Sequence, residues 1–461
     1  MSLKKREINL PLYEQLYREL KADIEDGHWQ PGEKLPSKRN LAEERKISVV
    51  TVMNAYSQLL AEGYIIAQER RGYFVADIAA IGRQVPLPVE DQEEEENYLY
   101  DFGSLSADTQ SFPYYSWAKL MRQVLSEDDS KLLSEIDYKG VYELRREIAR
   151  YLYRYRNMNV SPRQIVIGAG SEYLLGVIYQ LLDKKNYAME NPGYGKAAKI
   201  YSKSGAHISY INVDDQGMKI SQLQKSPAEV AYVTPSHHYP LGVVMPIKRR
   251  QQLLQWANQT GEQRYIIEDD YDSEIRFVGR PISGLQSIDQ HGRVIYMNTF
   301  SRTLAPSMRI SYLVLPPSLM EKYEAEFSFY SSTVPALEQY VLARFIAGGN
   351  FRRHLNRMRK IHKDKRDLLL TAIANSSFSQ DITVKEQNAG LHFLLLLKNN
   401  FSEQEIVKRG KEHGILFSVL SSYSYSNIKL PPALVINYSH IPAAKIPQAV
   451  QAMEVIFKKG C

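Results

Sequence analysis

Four short apolar runs, separated by segments with helical spacing, most strongly limit the folds open to this 461-residue chain. The runs are rich in β-branched and aromatic residues and lie at 164–168, 230–234, 265–269 and 294–298. Strands that alternate with helices along a chain form a mainly parallel sheet covered by helices. Residues 101–461 are therefore predicted to form an α/β domain with a mainly parallel sheet.

The N-terminal part of the chain has a different pattern, and the whole chain is longer than one ordinary domain. Residues 1–77 show short helical segments followed by a small hairpin, which predicts a separate α+β domain. Residues 78–100 contain prolines and then the acidic run 93–96, a composition typical of an extended, solvated linker. The sequence thus predicts domains at 1–77 and 101–461, joined by a linker at 78–100.

Cysteine content and hydropathy limit the compartment and the kinds of site. The one cysteine, Cys461, excludes a disulfide framework and a cysteine-rich zinc site, and it indicates a reducing environment. No segment approaches the roughly 18 uncharged apolar residues of a membrane span, and no signal region follows the charged N-terminus. We therefore expect a cytoplasmic protein with no membrane association and no metal site. The net charge of +6 is only weak support for a nucleic-acid partner.

The N-terminal domain has the pattern of a winged helix-turn-helix. Apolar residues at every fourth position predict a helix over 10–26. Ser37 and Ser48 are placed to cap two shorter helices, and Gly63 ends the second of them. The runs 64–67 and 72–75 flank a basic tip and predict a β-hairpin, the wing. In such a module the second short helix enters the major groove of DNA.

Two kinds of side chain in this domain are candidates for contacts with DNA. Ser48, Thr51 and Asn54 recur at every third position near the start of the second short helix, where side chains reach base edges. Nearby basic side chains can contact phosphates, which positions the domain without reading sequence. A small helical module that binds another protein is the alternative, because the charges of the domain nearly balance. The candidate DNA-binding residues are Lys38, Arg39, Ser48, Val49, Thr51, Asn54, Arg70, Arg71 and Gly72.

These segments resemble the GntR family of bacterial regulators. The resemblance rests on residues 34–42, 51–59, 62–64 and 72–75, and it implies binding to a double-stranded DNA operator. The family usually has an arginine directly after the serine that opens the recognition helix, whereas this chain has Val49. The departure implies an operator that differs from the usual one, or a lower affinity.

Several segments of the C-terminal domain resemble, in order, the fold-type I aminotransferases that use pyridoxal phosphate. They lie at 138–145, 168–172, 190–194, 234–242, 268–274 and 298–309. The resemblance assigns the phosphate to a Gly-rich turn that opens a helix, the ring nitrogen to Asp269, the phenolic oxygen to Tyr271 and stacking to Tyr194. His238 stands where the family often has Gln. The residues that the resemblance assigns to the cofactor are Gly170, Ser171, Glu172, Tyr194, His237, Asp269, Tyr271, Thr299, Ser301, Arg302 and Arg309.

Two positions depart from the aminotransferase pattern. The lysine that normally holds the cofactor covalently corresponds to Arg302, whose guanidinium stays protonated and is a poor nucleophile. The arginine that normally binds the carboxylate of a substrate corresponds to His440, which lacks a bidentate fork. We therefore expect no catalytic residue for transamination and no covalent attachment, whereas non-covalent binding of pyridoxal phosphate stays open. Either this domain is kept only for structure, or it senses another ligand.

A GntR-type head on an aminotransferase-like body is the arrangement of the MocR subfamily, and the resemblance is close to its γ-aminobutyrate-responsive branch. It implies a transcription regulator whose body forms a domain-swapped homodimer and senses a small-molecule effector, either pyridoxal phosphate or an amino-acid-like molecule. The alternative, from a different class, is a working aminotransferase with a DNA-binding appendage. Arg302 argues against that alternative, because transamination normally depends on a lysine at this position.

Overall fold

A computed structural model gives the fold and describes residues 11–77, 98–104, 108–127, 129–259, 263–277, 282–385, 388, 390–398, 401–426 and 428–458. Contacts between residues divide the chain into two compact units, Met1–Glu95 and Glu96–Cys461. Within the described ranges, no helix combines the length and the apolar character needed to cross a membrane.

The first unit consists of three helices and a hairpin. Its elements are α1 (Leu12–Glu25), α2 (Lys38–Glu44), α3 (Val49–Ala61), β1 (Ile65–Gln68) and β2 (Gly72–Val75). The two strands pair antiparallel, with Ile65 opposite Val75 and Gln68 opposite Gly72. The first strand begins at Ile65, one residue later than the sequence predicted, although the Tyr64 carbonyl still accepts a hydrogen bond from the Ala76 N–H at 2.9 Å. The predicted winged helix-turn-helix is confirmed.

Serine side chains start the two short helices, as the sequence predicted. The Ser37 hydroxyl accepts a hydrogen bond from the Asn40 N–H at 3.2 Å, and the Ser48 hydroxyl accepts one from the Thr51 N–H at 3.1 Å. Each bond satisfies one of the backbone donors that the first turn of a helix leaves unpaired. The helices then bury one face each in a common core, in which the Tyr56 ring is fully enclosed.

The second unit is an α/β domain. Its first part contains β3 (Tyr100–Asp101), α4 (Tyr114–Glu127), α5 (Asp129–Leu133), α6 (Tyr142–Arg156), β4 (Ile165–Gly168), α7 (Ser171–Leu182), β5 (Asn186–Asn191), α8 (Gly195–Lys203), β6 (His207–Asp214), β7 (Gly217–Met218), α9 (Ile220–Leu223), β8 (Val230–Val233), α10 (Ile247–Ala257), β9 (Tyr265–Asp269), β10 (Val294–Thr299) and β11 (Ser311–Val314). Its second part contains α11 (Pro317–Phe327), α12 (Ala336–Ala347), α13 (Asn350–Ala374), β12 (Ile382–Lys385), β13 (His392–Leu397), α14 (Glu403–Glu412), β14 (Ile415–Leu416), β15 (Ser418–Val419), β16 (Ala433–Asn437) and α15 (Ile446–Phe457).

An eight-stranded sheet forms the centre of this unit, with the order β4-β11-β10-β9-β8-β5-β6-β7. The strands from β10 to β6 in that order run parallel, whereas β11 runs antiparallel to both of its neighbours and β7 runs antiparallel to β6. Every residue of β4, β8 and β9 is buried, because helices cover both faces of the sheet. The predicted mainly parallel sheet is confirmed. Its parallel strands end at one edge, where β9 finishes with Asp269 and β10 with Thr299.

A four-stranded antiparallel sheet, in the order β12-β13-β16-β15, forms a smaller layer near the C-terminus. Beside it, β3 pairs with β14, and the Tyr100 N–H donates to the Gly414 carbonyl at 3.2 Å. Residues 98–100, which the sequence assigned to the linker, therefore pack with the second unit, and the rest of that segment lies outside the described residues. Leu99 and Tyr100 form only a short apolar stretch close behind the acidic run 93–96, so the sequence pattern did not separate them from the linker.

Candidate functional site

A cavity of about 460 Å³ opens where the parallel strands end, a usual place for a ligand in an α/β sheet. Thr234 follows β8, and Asp269 and Thr299 end β9 and β10, so the three strands bring their side chains to one wall. The cavity brings together most of the residues that the resemblance assigns to a cofactor, namely Ser171, Glu172, Tyr194, Asp269, Tyr271, Thr299, Ser301, Arg302 and Arg309.

One end of the cavity is suited to an anion. Helix α7 begins there, directly after Gly170, which does not line the cavity and has a φ of +93°. A side chain on Gly170 would collide with the Arg309 guanidinium, so glycine is required for that arginine to lie against the turn. The Ser301 hydroxyl is buried and has no hydrogen-bond partner among the described residues. The helix N-terminus, the unpaired hydroxyl and the guanidinium together favour a phosphate.

A carboxylate partly offsets the positive charge of this end. Glu172 Oε2 lies 3.3 Å from Arg309 Nη2, and Glu172 Oε1 lies 3.2 Å from Lys196 Nζ. All three side chains are at least 44% exposed, so these pairs are weak and can exchange for a bound anion. Arg302 adds a third cation to the lining.

The wall of the cavity also holds a buried acid. The Tyr232 hydroxyl donates a hydrogen bond to Asp269, and burial raises the pKa of Asp269 to about 7. The charge of Arg302 acts in the other direction and lowers that pKa. A carboxyl group with a pKa near neutrality can hold or release a proton opposite a ring nitrogen.

His237 does not line the cavity but lies behind Tyr271. Its Nδ1 is 3.2 Å from the Tyr271 hydroxyl and 2.8 Å from Asp272 Oδ2, so the imidazole connects the carboxylate to the tyrosine. The donor atoms of His237, Asp272 and His392 lie within 4.8 Å of one another, a grouping that metal sites also use. His392 Nε2 lies 3.1 Å from the Pro240 carbonyl, so hydrogen bonds account for the positions of these side chains. The expected absence of a metal stays a prediction.

Other lining residues were not anticipated from the sequence. Thr234 and Tyr239 lie within the aminotransferase-like segment 234–242, so the resemblance of that segment could have identified them as cavity residues. Tyr423 comes from the C-terminal part of the unit, and its hydroxyl accepts a hydrogen bond from the Tyr239 hydroxyl at 2.7 Å. No local motif marks Tyr423 or Gly103, because only the fold brings them to the cavity.

The structure does not bring His440 to this cavity. Its Nε2 lies 3.8 Å from Asp101 Oδ2, and burial lowers the pKa of the imidazole. A neutral imidazole away from the lining is poorly placed to bind a carboxylate held in the cavity. The assignment of His440 to an effector carboxylate stays a prediction from the resemblance.

Glu190 and His238 form a buried pair beside Thr234. Glu190 Oε2 accepts hydrogen bonds from the Thr234 N–H at 3.0 Å and from its hydroxyl at 2.8 Å, and it lies 3.5 Å from His238 Nε2. Burial raises the pKa of Glu190 to about 8 and lowers the pKa of His238 to about 3. Both groups are therefore largely uncharged at neutral pH, as burial in an apolar layer demands.

The Glu190→Gln variant should lose less stability at alkaline pH than the wild type. The folded-state pKa of Glu190 lies above its unfolded value of 4.5, so its contribution to stability is fully present below about 4.5 and is lost as pH rises through about 8. We expect the free energy of unfolding of the wild type to fall by about 1–3 kcal/mol more than that of the variant between about pH 6 and pH 9. Urea unfolding at both pH values measures the difference. The exposed control Glu321→Gln should behave as the wild type, and equal pH dependence in wild type and Glu190→Gln would refute the assignment.

The exposed face of α3 is the second candidate site, and it lies in the first unit. Val52, Ala55, Tyr56 and Leu59 are fully buried. The Ser48 hydroxyl also lies 2.8 Å from the Thr51 hydroxyl, so both of these candidate DNA contacts take part in starting the helix. Among the candidates, Thr51 is half-buried, whereas Val49 and Asn54 are exposed. Val50 and Met53 are also exposed, although the sequence did not mark them as candidates. Helical spacing from the buried residues was the signal that could have found those two residues.

Basic side chains lie near this helix in the same unit. Lys38 Nζ lies over the Tyr73 ring at 5.0 Å, and the Arg71 guanidinium lies over the Phe74 ring at 5.7 Å. Arg70 adopts a left-handed conformation, with φ of +61°, before Gly72 at the hairpin. Within residues 11–77, no ion pair involves Lys38, Arg39, Arg70 or Arg71, whereas Arg18, Lys21 and Arg45 are paired with acids.

Comparison with known proteins supports the division into two kinds of domain. Residues 12–75 match the family described as bacterial regulatory proteins, gntR family, and residues 101–453 match aminotransferase class I and II. An uncharacterized HTH-type transcriptional regulator of Bacillus subtilis, YdeL, is 38% identical over 461 aligned residues, which cover 98% of each chain. The probable rhizopine catabolism regulatory protein MocR of Rhizobium meliloti is 28% identical, over 98% of this chain and 95% of its own.

Among solved structures, an archaeal alanine:glyoxylate aminotransferase superposes with a TM-score of 0.69 and 23% identity, covering 78% of this chain and 90% of its own. This likeness shows the fold of the second unit. Neither regulator named above is named for γ-aminobutyrate, so that part of the resemblance stays a prediction. The chain belongs to the MocR-type bacterial regulatory proteins, in which a GntR-family segment precedes an aminotransferase class I and II domain.

Proposed function

We propose that this chain regulates transcription by binding double-stranded operator DNA through its first unit, and that it does not catalyse transamination. The observation that carries the proposal is the exposed face of α3, which stands in one small unit with Lys38, Arg39, Arg70 and Arg71, basic side chains that make no ion pair within residues 11–77. Basic side chains without an acidic partner, in the same unit as the exposed helix of a winged helix-turn-helix, are the expected footprint of a DNA-binding surface. The relative that shares 38% identity is named as a transcriptional regulator.

In the proposed complex, the N-terminal part of α3 enters the major groove and the hairpin contacts the backbone beside it. Val49 and Asn54 face base edges, while Ser48 and Thr51 hold the helix start in shape and present its backbone to the groove. Lys38, Arg39, Arg70 and Arg71 contact phosphates, and Gly72 lets the hairpin approach the backbone closely.

A gel-shift experiment with the purified full chain tests this proposal. The DNA is the region upstream of the protein's own gene, and an unrelated duplex of equal length is the comparison. We expect a shift of the upstream DNA at concentrations that leave the unrelated duplex free. Absence of any shift at low salt, where phosphate contacts are strongest, would refute DNA binding.

Replacing both hairpin arginines, Arg70→Ala with Arg71→Ala, should weaken DNA binding by about tenfold at low salt and to a similar degree for every sequence. Each lost phosphate contact also removes about 0.9 from the slope of log affinity against log salt, so the slope should fall by up to about 2. Fluorescence anisotropy at several salt concentrations measures both quantities. Arg18→Ala is the matched control, because Arg18 is paired with Glu14 on α1 at 2.7 Å. An unchanged slope in the double variant would exclude the hairpin from the interface.

The cavity is proposed to hold pyridoxal phosphate, or an amino-acid-like effector, without a covalent bond. The Ser301 hydroxyl, which has no hydrogen-bond partner in the described part of the chain, and the turn at Gly170 fit a phosphate. Bound there, the cofactor supplies a phosphate for recognition and an aldehyde for reaction with amines. Arg302 offers no nucleophilic amine at the position where attachment is expected, so these residues bind and orient the ligand rather than react with it. The residues proposed to hold it are Ser171, Thr299, Ser301 and Arg309 at the phosphate, Asp269 at the ring nitrogen, Tyr271 at the phenolic oxygen and Tyr194 by stacking.

A homodimer formed by the second unit, with exchanged heads, is proposed from the family resemblance. Large apolar side chains that are more than two thirds exposed support a partner surface on this unit, namely Leu99, Tyr114, Tyr115, Leu133 and Phe329. Two heads in one dimer would read two half-sites, with a spacing set by the assembly.

A further inference from the structure

The N-terminal part of the exposed face of α3 is largely apolar. Val49, Val50 and Met53 are 45%, 59% and 42% exposed, and Asn54 completes the exposed patch. Val49 and Met53 are four residues apart, as are Val50 and Asn54, so the four side chains form two adjacent rows on one side of the helix. We call these four residues the reading face.

The reading face carries no charge. Helix α3, Val49–Ala61, contains no acidic or basic residue, although it is the helix proposed to enter DNA. Single exposed apolar residues are ordinary, but three neighbouring ones on one helix face of so small a unit call for a partner. The same unit favours an anionic partner, because Lys38, Arg39, Arg70 and Arg71 make no ion pair within residues 11–77. An apolar helix face in a unit that also carries unneutralised basic side chains is complementary to a DNA groove that displays methyl groups between two phosphate backbones.

We propose that Val49, Val50 and Met53 recognise the C5-methyl groups of thymine, with Asn54 on a neighbouring adenine, so that the half-site under α3 is rich in A·T pairs. The inference rests on the proposed DNA-binding function. Thymine is the base that presents an apolar group in the major groove, and an Asn side chain can bond both N6 and N7 of adenine.

The chemistry of the reading face also argues against G·C pairs. Recognition of guanine normally uses Arg or Lys on O6 and N7, and recognition of cytosine uses a carboxylate on N4. The reading face has neither a basic side chain nor a carboxylate. Burying those polar base atoms against valine and methionine would leave them without hydrogen bonds, which disfavours such a site.

Selection from a random DNA duplex library with the full chain, at low salt, gives the first result. Enrichment of A·T-rich half-sites supports the inference. Enrichment of G·C-rich half-sites overturns the inference but leaves DNA binding intact. If no sequence is retained above the background of a bead control, the proposed function itself fails together with the inference.

The selected duplex is then remade with deoxyuridine in place of thymidine, which removes only the methyl group. Each substitution under α3 should lower affinity about fourfold, the value expected for burying one methyl-sized group. In the Val50→Ala variant, one of these thymidine-to-deoxyuridine substitutions should lose most of its effect on affinity. Leu12→Ala, at a 60% exposed position on α1, should retain the full sensitivity of the wild type.

Equal affinity for the thymidine and deoxyuridine duplexes in the wild type would overturn the inference. The same conclusion would follow if the combined variant Val49→Ala, Val50→Ala and Met53→Ala bound the selected duplex as tightly as the wild type. That outcome would assign the reading face to a protein partner instead. All three positions are exposed and alanine favours helices, so circular dichroism should show an unchanged fold.

Discussion

Arg302→Lys is expected to turn a chain that pyridoxal phosphate does not label into one that it labels covalently in the cavity. A guanidinium stays protonated at any accessible pH, whereas a lysine amine can lose its proton and attack the aldehyde. Arg302 lines the same cavity as the proposed phosphate residues Ser301 and Arg309, so an amine placed there has the ligand held beside it. The variant therefore restores a reactive group to a binding site that is otherwise present.

The measurement is the mass of the protein after incubation with pyridoxal phosphate and reduction with borohydride, followed by peptide mapping. We expect close to one label per chain at position 302 of the variant and none in the cavity of the wild type. Arg309→Lys is the control, because it makes the same arginine-to-lysine replacement at a residue that is proposed to bind the phosphate. Lys196 also lines the cavity, where its amine is paired with Glu172 at 3.2 Å. A reducible label on Lys196 in the wild type, or no label at position 302 in the variant, would contradict this account of the site.

Asp270→Ala is expected to destabilise the second unit by about 3–5 kcal/mol, because it leaves a buried guanidinium without its counter-ion. Arg156 ends α6 and its Nη2 lies 2.7 Å from Asp270 Oδ2, with both side chains at most 2% exposed. Asp270 also accepts a hydrogen bond from the Tyr296 hydroxyl at 2.5 Å, and Arg156 donates to Ser236 at 2.8 Å. The pair thus fastens α6 to the end of β9, directly beside the proposed ring-nitrogen partner Asp269.

Urea unfolding of the purified full chain, followed by tryptophan fluorescence, measures this loss. Glu127→Ala is the matched control, because it breaks the exposed pair with Arg344 at 2.7 Å and should cost at most about 1 kcal/mol. The double variant Asp270→Ala with Arg156→Met should recover part of the loss, since no uncompensated charge is then buried. A loss below about 1 kcal/mol for Asp270→Ala alone would show that the pair does not hold the unit together.

Local patterns in the sequence predicted the elements of both units, because those patterns depend on neighbours along the chain. Ser37 and Ser48 each start a helix by a bond to a residue three positions later. The apolar run at 265–269 forms a buried strand, since helices cover both faces of the sheet. The order of motifs also anticipated which segments meet at the cavity.

Features set by distant parts of the chain could not be predicted in this way. Tyr423 joins the cavity through a hydrogen bond to Tyr239, a contact that only the folded unit creates. His440 lies near Asp101 rather than in the cavity, because residues 100–102 pack beside the small sheet. The hydroxyls of Ser48 and Thr51 bond to each other at the start of α3. The exposed side chains of this helix include Val50 and Met53, which a pattern of polar residues does not identify.

DNase I footprinting of the upstream region with the full chain tests whether this protein acts on DNA. We expect protected segments within A·T-rich sequence, with two half-sites separated by a whole number of helical turns if two heads bind together. The Arg70→Ala, Arg71→Ala double variant should protect the same segments only at a concentration about tenfold higher. A uniform cleavage pattern at low salt, with the wild type in large excess, would contradict the claim that this chain acts on DNA.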